Sequence, residues 1–189
     1  MGTIVANHRD RPDRIDYYLH IAMAVRRRAN CVGNRVGAVL VRNDRIISTG
    51  YNGTPEGTRN CDEGGCERCA QREKYRTAQG YDVCICVHAE QNALLSAARF
   101  GIPVEGASIY TTMRPCFGCT KELLQAHTSA VYYLHEWQHP DPELWRQYLM
   151  LQSRFPGGVN HIEVPDPDAA WAVSSIRAPD VDTGHSIPS

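Results

Sequence analysis

The sequence lacks any hydrophobic run long enough to cross a membrane. A membrane-spanning helix needs about 20 consecutive apolar residues, and no run in this chain of 189 residues approaches that length. Residues 1–16 are polar and charged, without the hydrophobic stretch of a signal peptide. We therefore expect a cytoplasmic protein with no membrane partner.

The chain also lacks an excess of either charge. Its 20 lysines and arginines nearly balance 21 aspartates and glutamates, which gives a formal net charge of −1. Because nucleic-acid-binding domains usually carry a basic excess, no nucleic-acid partner is expected. A small anionic ligand is not excluded, since it needs only a few placed arginines. The length and the hydrophobic content of 42% are those of one soluble globular domain.

Cysteine, in contrast, is abundant, with eight residues. In a reducing compartment, clustered cysteines with C-x-x-C or C-x-C spacing are more often metal ligands than disulfide partners. Five of them lie in a polar insertion at residues 58–87, which has little hydrophobic periodicity. Such a segment cannot bury enough apolar surface to order itself, so we expect a bound metal to stabilise it.

Apolar periodicity predicts helices that alternate with strands. Asp13 stands where it can cap the first helix, and residues 42–45 have the composition of a hairpin turn. The order of elements predicts an α/β layered fold with a mixed sheet. We expect helices at 13–30, 88–100, 116–126 and 141–155, and strands at 36–41, 46–49, 108–112, 130–134 and 159–164.

The domain itself is predicted to cover residues 13–165. Residues 1–12 and 166–189 are expected to be flexible tails. The second of these is rich in Pro, Asp, Ser and Gly around the isolated Trp171, a composition typical of loosely held segments.

Three residues have the element types and spacing of zinc ligands, namely His88, Cys116 and Cys119. A catalytic zinc site has three protein ligands and leaves a fourth position open for water. Glu90 follows the histidine by two residues, and H-x-E with a downstream P-C-x-x-C is the signature of zinc deaminases that act on nucleobases. His88 and Cys116 each begin a predicted helix, so the free N–H groups of two helix ends would face one metal.

The C-x-x-C pair alone would also suit a redox pair or half of a structural zinc site. The His-x-Glu pattern at the start of the preceding helix and the proline immediately before Cys116 favour a catalytic zinc over both alternatives. A purely structural site also needs no carboxylate two residues from its ligand. Zinc lowers the pKa of bound water towards about 7. Glu90 is placed to take the proton of that water and to pass it to a ring nitrogen and then to the departing amine.

Further segments give the chain a more specific resemblance. Residues 34–39 read Asn-Arg-Val-Gly-Ala-Val, residues 50–55 read Gly-Tyr-Asn-Gly-Thr-Pro, and cysteines recur at 61, 66, 69, 84 and 86. With the zinc set, these segments within residues 15–135 resemble the deoxycytidylate deaminases of the zinc-dependent cytidine deaminase superfamily, above all their cysteine-rich fungal form. The zinc set defines only the superfamily, and the loop at 50–55 is what points to deoxycytidylate.

The resemblance implies a three-layer α/β/α fold around a mixed sheet of about five strands. It implies hydrolytic deamination of dCMP to dUMP and ammonia, which supplies dUMP for dTMP synthesis. It also implies a homo-oligomer, with a hexamer favoured, that dCTP activates and dTTP inhibits. A triphosphate effector would bring Mg²⁺ with it.

The same resemblance assigns roles to residues around the substrate. Asn52 would hydrogen-bond the deoxyribose, and the Ala89 backbone together with Glu90 would hold the pyrimidine edge. One aromatic side chain, either Tyr133 or Trp137, would lie near the nucleotide.

Arg114 departs from the uncharged residue that is common at its position in the family. Its side chain would either meet the 5′-phosphate or face solvent. The residues expected to contact an effector or a phosphate are Asn34, Arg35 and Arg99.

Six cysteines remain outside the zinc set, namely Cys31, Cys61, Cys66, Cys69, Cys84 and Cys86. A structural tetrathiolate zinc needs four of them, and at least one such zinc is expected. By the resemblance, Cys31 and Cys61 recur as ligands of a second zinc and Cys86 falls near a third ligand position, so the fourth would be Cys66, Cys69 or Cys84. Two metals with help from non-cysteine ligands are the alternative, and spacing alone does not choose between them.

Two other functions share part of this pattern. A nucleic-acid deaminase of the tRNA adenosine type shares the zinc set, but it predicts a basic face and lacks the Tyr-Asn-Gly-Thr-Pro loop. A cysteine-rich module that only binds a partner would not need Glu90. The sequence therefore favours a deaminase of a free nucleotide.

Overall fold

The computed structural model describes residues 11–71, 74–75, 80 and 83–175. Its centre is a five-stranded sheet of β1 (Gly37–Arg42), β2 (Arg45–Tyr51), β3 (Ser108–Met113), β4 (Ala130–His135) and β5 (Val159–His161). The strand order is β2-β1-β3-β4-β5. β1 pairs antiparallel with β2 and β3, whereas β4 is parallel to both β3 and β5. The mixed sheet predicted from the sequence is therefore confirmed.

The turn between β1 and β2 follows directly from its two central residues. Asn43 and Asp44 have φ angles of 50° and 60°, the left-handed conformation that both central residues of a type I′ turn require. Asn and Asp adopt this conformation more readily than other residues with a side chain. Arg42 pairs with Arg45 across the turn, so the predicted hairpin is confirmed.

The helices are α1 (Arg14–Arg26), α2 (Glu67–Ala70), α3 (Ala89–Arg99), α4 (Phe117–Gln125), α5 (Pro142–Gln152) and α6 (Ala169–Ala172). Asp13 caps α1 as predicted, since its side chain accepts a hydrogen bond from the Asp16 N–H at 2.8 Å. The short α2 and the 3₁₀ turn at Cys61–Glu63 lie in the insertion and were not predicted. Within the described ranges, no helix has both the length and the apolarity needed to span a membrane.

The first helix ends at Arg26 and not at the predicted Asn30. Asn30 uses its side chain to bind other segments: its Oδ1 accepts a hydrogen bond from the Thr54 N–H at 3.2 Å, and its Nδ2 donates to Asn60 Oδ1 at 2.7 Å. Asparagine side chains often compete in this way with helical hydrogen bonding. Because α1 ends before Asn30, this residue can connect the end of the helix to the loop after β2 and to the insertion.

Two layers of helices cover the two faces of the sheet. In β1, Val39 and Val41 belong to the hydrophobic cluster that includes α1, whereas Ala38 and Leu40 pack in the cluster that contains Ala93 of α3. Successive residues of a strand face opposite sides of a sheet, so β1 contributes to both clusters. The predicted three-layer α/β/α architecture is confirmed.

Two glycines allow helices to lie directly on the strands. A Cβ atom at Gly37 would come within 2.2 Å of the Ala22 carbonyl oxygen in α1, and one at Gly50 within 2.1 Å of the Ala89 carbonyl oxygen in α3. Any side chain at Gly50 would push away the first turn of α3. The close approach that Gly50 allows places the start of α3 directly beside β2.

The structure corrects the prediction that the chain is a flexible tail from residue 166. The Asp166 side chain is 3% exposed and forms a salt bridge with Arg26, whose side chain is completely buried. Arg26 Nη1 donates to Asp166 Oδ2 at 2.6 Å, and His135 Nε2 lies 2.6 Å from the same oxygen. The composition of residues 166–189 could not predict this network, because the partners of Asp166 are distant in the chain.

The residues after Asp166 complete the hydrophobic core. Ala172 and Val173 belong to the cluster that also contains β1, β3 and α3 residues. Asn34 Oδ1 accepts hydrogen bonds at 2.8 Å from both the N–H and the hydroxyl of Ser174. Residues 166–175 therefore pack with the domain, while the rest of the predicted tails, apart from residues 11–12, lies outside the described residues.

We predict that Asp166→Asn lowers the free energy of unfolding by about 3–5 kcal/mol, because it leaves the Arg26 charge buried without a counter-charge. Urea unfolding measures this loss. The matched control is Glu163→Gln at an exposed position, for which we expect a change within about 0.5 kcal/mol. If the two variants lost equally little, the salt bridge would not be what holds residues 166–175 in place.

The same variant gives a check by pH. Burial raises the pKa of Asp166, but Arg26 and His135 outweigh it and lower the pKa from 3.8 to about 2. A carboxyl group with a depressed pKa stabilises the fold above its ordinary pKa, and this contribution is lost as pH falls through the folded-state value. The difference in stability between wild type and Asp166→Asn should therefore be complete above about pH 4 and shrink as the pH falls towards 2.

Candidate metal centre and its cavity

The N-terminal ends of α3 and α4 meet at one point. His88 is the N-cap of α3 and Cys116 is the N-cap of α4, both with extended backbone, so the predicted placement at two helix starts is confirmed. Gln91 joins the two ends. Its Oε1 accepts a hydrogen bond from the His88 N–H at 2.9 Å, and its Nε2 donates to Glu122 of α4 at 2.8 Å.

The three predicted zinc ligands form a compact donor set. The Sγ atoms of Cys116 and Cys119 lie 3.3 and 3.4 Å from His88 Nδ1 and 3.5 Å from each other. A tetrahedral zinc, with bonds of about 2.3 Å to sulfur and about 2.1 Å to nitrogen, separates its ligand atoms by about 3.6–3.8 Å. Contact with Cys119, together with His88, lowers the pKa of Cys116 to about 4, and zinc binds the thiolate form. The residues present therefore fit a zinc ion with one open position.

Glu90 is buried beside these donors. Only 4% of the residue is exposed, and its Oε2 accepts from Cys119 Sγ at 3.6 Å. Burial raises the pKa of Glu90 to about 7, although the charge of His88 acts in the opposite direction. A carboxyl group with a pKa near the working pH can both accept and release a proton. The position suits acid–base chemistry on a ligand of the metal.

A cavity of about 670 Å³ opens beside His88 and Glu90. This volume lies within the range of small-molecule sites, about 300–1,000 Å³. Among the described residues, its lining includes five of the predicted substrate and effector residues, Asn34, Asn52, Ala89, Arg114 and Trp137. It does not include Tyr133, Arg35 or Arg99.

Asn52 lines the cavity and also fixes the chain before β1. Its Oδ1 accepts a hydrogen bond from the Val36 N–H at 2.8 Å, and its Nδ2 donates to the Asn34 carbonyl at 2.7 Å. An amide nitrogen carries two hydrogens, so Nδ2 retains a donor besides the one used for Asn34. The predicted sugar contact is compatible with this structural role.

Arg114 does not face solvent, so that alternative is wrong. Its side chain is 11% exposed. Nε and Nη2 donate to Gln152 Oε1 at 2.9 and 2.7 Å, and Nη1 donates to Glu136 at 2.8 Å. The guanidinium also lies 5.3 and 4.7 Å from the ring centres of Tyr133 and Trp145. These contacts hold a positive charge at the cavity wall, and the contact with a phosphate stays a prediction.

The two candidate aromatic residues differ in position. Trp137 lines the cavity. Tyr133 is 3% exposed, and its hydroxyl donates to Glu136 at 2.7 Å. Tyr133 therefore supports the wall through Glu136, and of these two candidates Trp137 is the one that a ligand in the cavity can touch.

The predicted effector residues are not gathered at one place. Arg35 Nη1 donates to the Trp171 carbonyl at 2.9 Å, and its guanidinium lies 4.5 Å from the centre of the Trp171 ring. Arg99 forms a surface pair with Glu56 at 3.3 Å. It ends α3, about 15 Å along the helix axis from the metal-binding end.

The cavity lining also includes residues that the sequence did not indicate, among them Arg68, Ser174 and Ser175. Arg68 stands between Cys66 and Cys69. Two metal ligands on either side of a residue hold its backbone in place, so this spacing could have indicated that Arg68 has a fixed position. For the two serines the sequence carries no such signal, because their place depends on the packing of residues 166–175.

Helix α5 supports the metal ligands from the outer side. Tyr148 is 2% exposed, and its hydroxyl donates to the carbonyl of Pro115, the residue before Cys116. Gln152 donates to Thr120 of α4 at 3.3 Å. The helix predicted at 141–155 therefore fixes the turn that carries Cys116, a role that its sequence did not indicate.

The other six cysteines form no disulfide bond and lie in one cluster, in which all but Cys84 are buried. Two sets of four have Sγ atoms that lie within 4.8 Å of one another: Cys31, Cys61, Cys69 and Cys86, and Cys66, Cys69, Cys84 and Cys86. The first set joins Cys69 to the three ligands implied by the resemblance. Each set consists of cysteine alone, so neither needs the non-cysteine ligands that were considered.

The chain matches known deaminases over about two thirds of its length. A family profile described as "Cytidine and deoxycytidylate deaminase zinc-binding region" matches residues 12–135. The deoxycytidylate deaminase of Schizosaccharomyces pombe is 42% identical over 126 residues, which are 67% of this chain and 38% of that protein. That of Saccharomyces cerevisiae is 40% identical over 123 residues, 65% of this chain and 38% of that protein. The match thus spans less than half the length of either yeast relative.

The fold also matches a solved structure. The dCMP deaminase from the cyanophage S-TIM5, crystallised in complex with dCMP and dUMP, aligns with a TM-score of 0.61 and 26% sequence identity. The alignment covers 82% of this chain and 100% of that chain. The predicted cytidine-deaminase-like fold is confirmed.

We predict that His88→Ala lowers the zinc content by one ion per chain, because it removes one of the three protein donors that the described residues bring together. Elemental analysis of the dialysed protein measures this. His20→Ala, at a half-exposed position on α1, is the matched control and should keep the wild-type zinc content. Equal zinc in both variants would show that His88 does not hold a metal.

Proposed function

Because the chain belongs to the cytidine and deoxycytidylate deaminase family, we propose that it converts dCMP and water to dUMP and ammonia. One observation carries the proposal: the buried Glu90 adjoins three zinc-type donors at the wall of a cavity large enough for a nucleotide. The names of the yeast and phage relatives support the choice of dCMP as substrate.

His88, Cys116 and Cys119 would hold the zinc ion. When bound, zinc supplies Lewis acidity that lowers the pKa of water towards about 7. The helix ends at α3 and α4 add N–H groups without helical partners and the positive ends of two helix dipoles. These groups favour the thiolates and the negative charge that develops as water attacks.

Glu90 would move the protons of the reaction. Its carboxylate takes one proton from the attacking water and delivers it to N3 of the cytosine ring, then transfers the second proton to the departing amine. A C4–O bond forms and the C4–N bond breaks, so ammonia leaves. The overall step is a hydrolysis and needs no oxidant or reductant.

The lining of the cavity would hold the rest of the nucleotide. Ala89 is the first residue of α3, so its N–H has no partner within the helix and can bind the pyrimidine edge. The Asn52 amide would bind the deoxyribose, and Trp137 would contact the ring system. Arg68 and Arg114 would supply positive charge for a 5′-phosphate, and Glu136, which pairs with Arg114 and also lines the cavity, offsets part of it.

Two other functions are less well supported. The net charge of −1 gives no sign of the basic surface that a tRNA deaminase would need. A binding module with a purely structural zinc gives no role to a buried carboxylate at Glu90. We therefore prefer a free mononucleotide as the substrate.

An assay of substrate choice tests the proposal. Zinc-loaded protein is offered dCMP, CMP, dCTP, deoxycytidine and a tRNA in separate reactions, and ammonia release is recorded. We expect release from dCMP above all the others. Activity on tRNA alone would overturn the choice of substrate, and no release from any of them would favour the binding module.

Glu90→Gln should reduce turnover of dCMP by at least about 100-fold, because an amide cannot shuttle a proton. Its zinc content should equal that of wild type, since Glu90 is not among the donors. Glu105→Gln, at an exposed position, is the matched control and should keep the wild-type rate. Normal turnover by Glu90→Gln with zinc bound would contradict the acid–base role.

We also propose a cytoplasmic homohexamer that dCTP with Mg²⁺ activates and dTTP inhibits, and that supplies dUMP for dTMP synthesis. The resemblance supports regulation, and the exposed apolar residues Leu95 on α3 and Phe100 at its C-terminal cap suit contact between subunits. Light scattering measures the oligomeric state, and initial rates at low dCMP concentration measure the effects of dCTP and dTTP. A monomer whose rate ignores both triphosphates would contradict them.

A further inference from the structure

The two sets of four cysteines overlap, and this overlap has a chemical consequence. Cys69 and Cys86 belong to both sets, while the other four belong to one set each. We propose that the cluster binds two zinc ions, which share the thiolates of Cys69 and Cys86 as bridges. Neither ion is the one at His88, and the proposal does not depend on the substrate of the enzyme.

The distances suit metal ligands in both sets. All Sγ atoms of one set lie within 4.8 Å of one another, and Cys66 Sγ lies 3.9 Å from Cys84 Sγ. Sulfur atoms around a tetrahedral zinc are about 3.8 Å apart. Six cysteines that hold two zinc ions form a known type of protein metal cluster.

A single zinc ion would leave two thiols of the cluster unused. If it occupied the first set, Cys66 and Cys84 would remain without a metal, and if it occupied the second, Cys31 and Cys61 would. Only two ions that share two ligands give all six sulfurs a metal partner. Two divalent cations with six thiolates carry the same formal charge as one cation with four, so the second ion adds no net buried charge.

The surroundings of the cluster give a physical reason for two ions. Among the described residues, its hydrophobic packing consists of the cysteines themselves with Val32 beside them. In the described residues between Cys61 and Cys86 no further apolar cluster packs around these sulfurs, so metal–thiolate bonds would supply the stability. Two ions would join the loop after α1, the 3₁₀ turn with α2, and the segment before α3.

The cluster is also part of the wall of the cavity. Four of its members line that cavity, Cys31, Cys69, Cys84 and Cys86. Cys86 precedes His88 by two residues, and Val87 between them pairs with Gly53 in an isolated β-bridge. A bridging thiolate at Cys86 would therefore fix the chain that delivers His88 to its own metal.

The first test counts the metal in wild-type protein that has been dialysed against metal-free buffer. We expect three zinc ions per chain, of which His88→Ala removes one. Two zinc ions per chain in wild type would overturn the proposal, because they correspond to one ion at His88 and one in the cluster.

The second test asks whether the cluster ions share ligands. Zinc-edge X-ray absorption of wild type should contain a metal–metal scattering component, and protein loaded with cadmium-113 should give two thiolate-type resonances that are coupled to each other. If the protein held three zinc ions but gave neither the metal–metal scattering nor the coupled resonances, the cluster ions would occupy separate sites without shared ligands. This result would also overturn the proposal. Both measurements use the wild type, so the outcome does not depend on the folding of a variant.

Two paired substitutions then locate the ions. Cys66→Ser with Cys84→Ser should remove one zinc ion and the coupling, and leave one cluster ion on Cys31, Cys61, Cys69 and Cys86. Cys31→Ser with Cys61→Ser should do the same and leave an ion on the other set. If either folded pair kept three zinc ions, the assigned ligands would be wrong.

Discussion

The start of two helices at one point is the constraint on which this site depends. α3 begins after His88 and α4 begins after Cys116, so these candidate zinc ligands are fixed by the same turns that begin the helices. Glu90 lies in the first turn of α3, and each residue of a helix is rotated by about 100° from the last. A shift of the helix start by one residue would therefore turn the carboxylate away from the metal donors.

The rest of the fold holds those two helix starts in place. Gly50 lets α3 lie directly on β2, and Gln91 connects α3 to Glu122 of α4. On the outer side, the hydroxyl of Tyr148 binds the turn before Cys116. On the other side, the cysteine cluster ends two residues before His88. The site is thus supported from the sheet, from α5 and from the insertion.

Much of this arrangement could be read from the sequence, because it is local. The hairpin at 42–45, the helix starts at His88 and Cys116, and the mixed sheet follow from turn residues, motif spacing and periodicity. The positions of the Asp166 and Arg114 side chains could not be predicted, since both are fixed by partners distant in the chain. Arg26 is 140 residues from Asp166, and Gln152 is 38 residues from Arg114. Spacing also indicated the six cysteines as candidate zinc ligands, but only their positions in space show that two of them belong to both sets of four.

The most direct test of the central claim is an anomalous difference map at the zinc edge from crystals of the zinc-loaded protein. We predict a peak within about 2.0–2.4 Å of His88 Nδ1, Cys116 Sγ and Cys119 Sγ, with the Glu90 carboxylate directed towards its open side. The account would be contradicted if the map had no peak there and the three donor side chains pointed apart. A Glu90 carboxylate directed away from the metal would also contradict it.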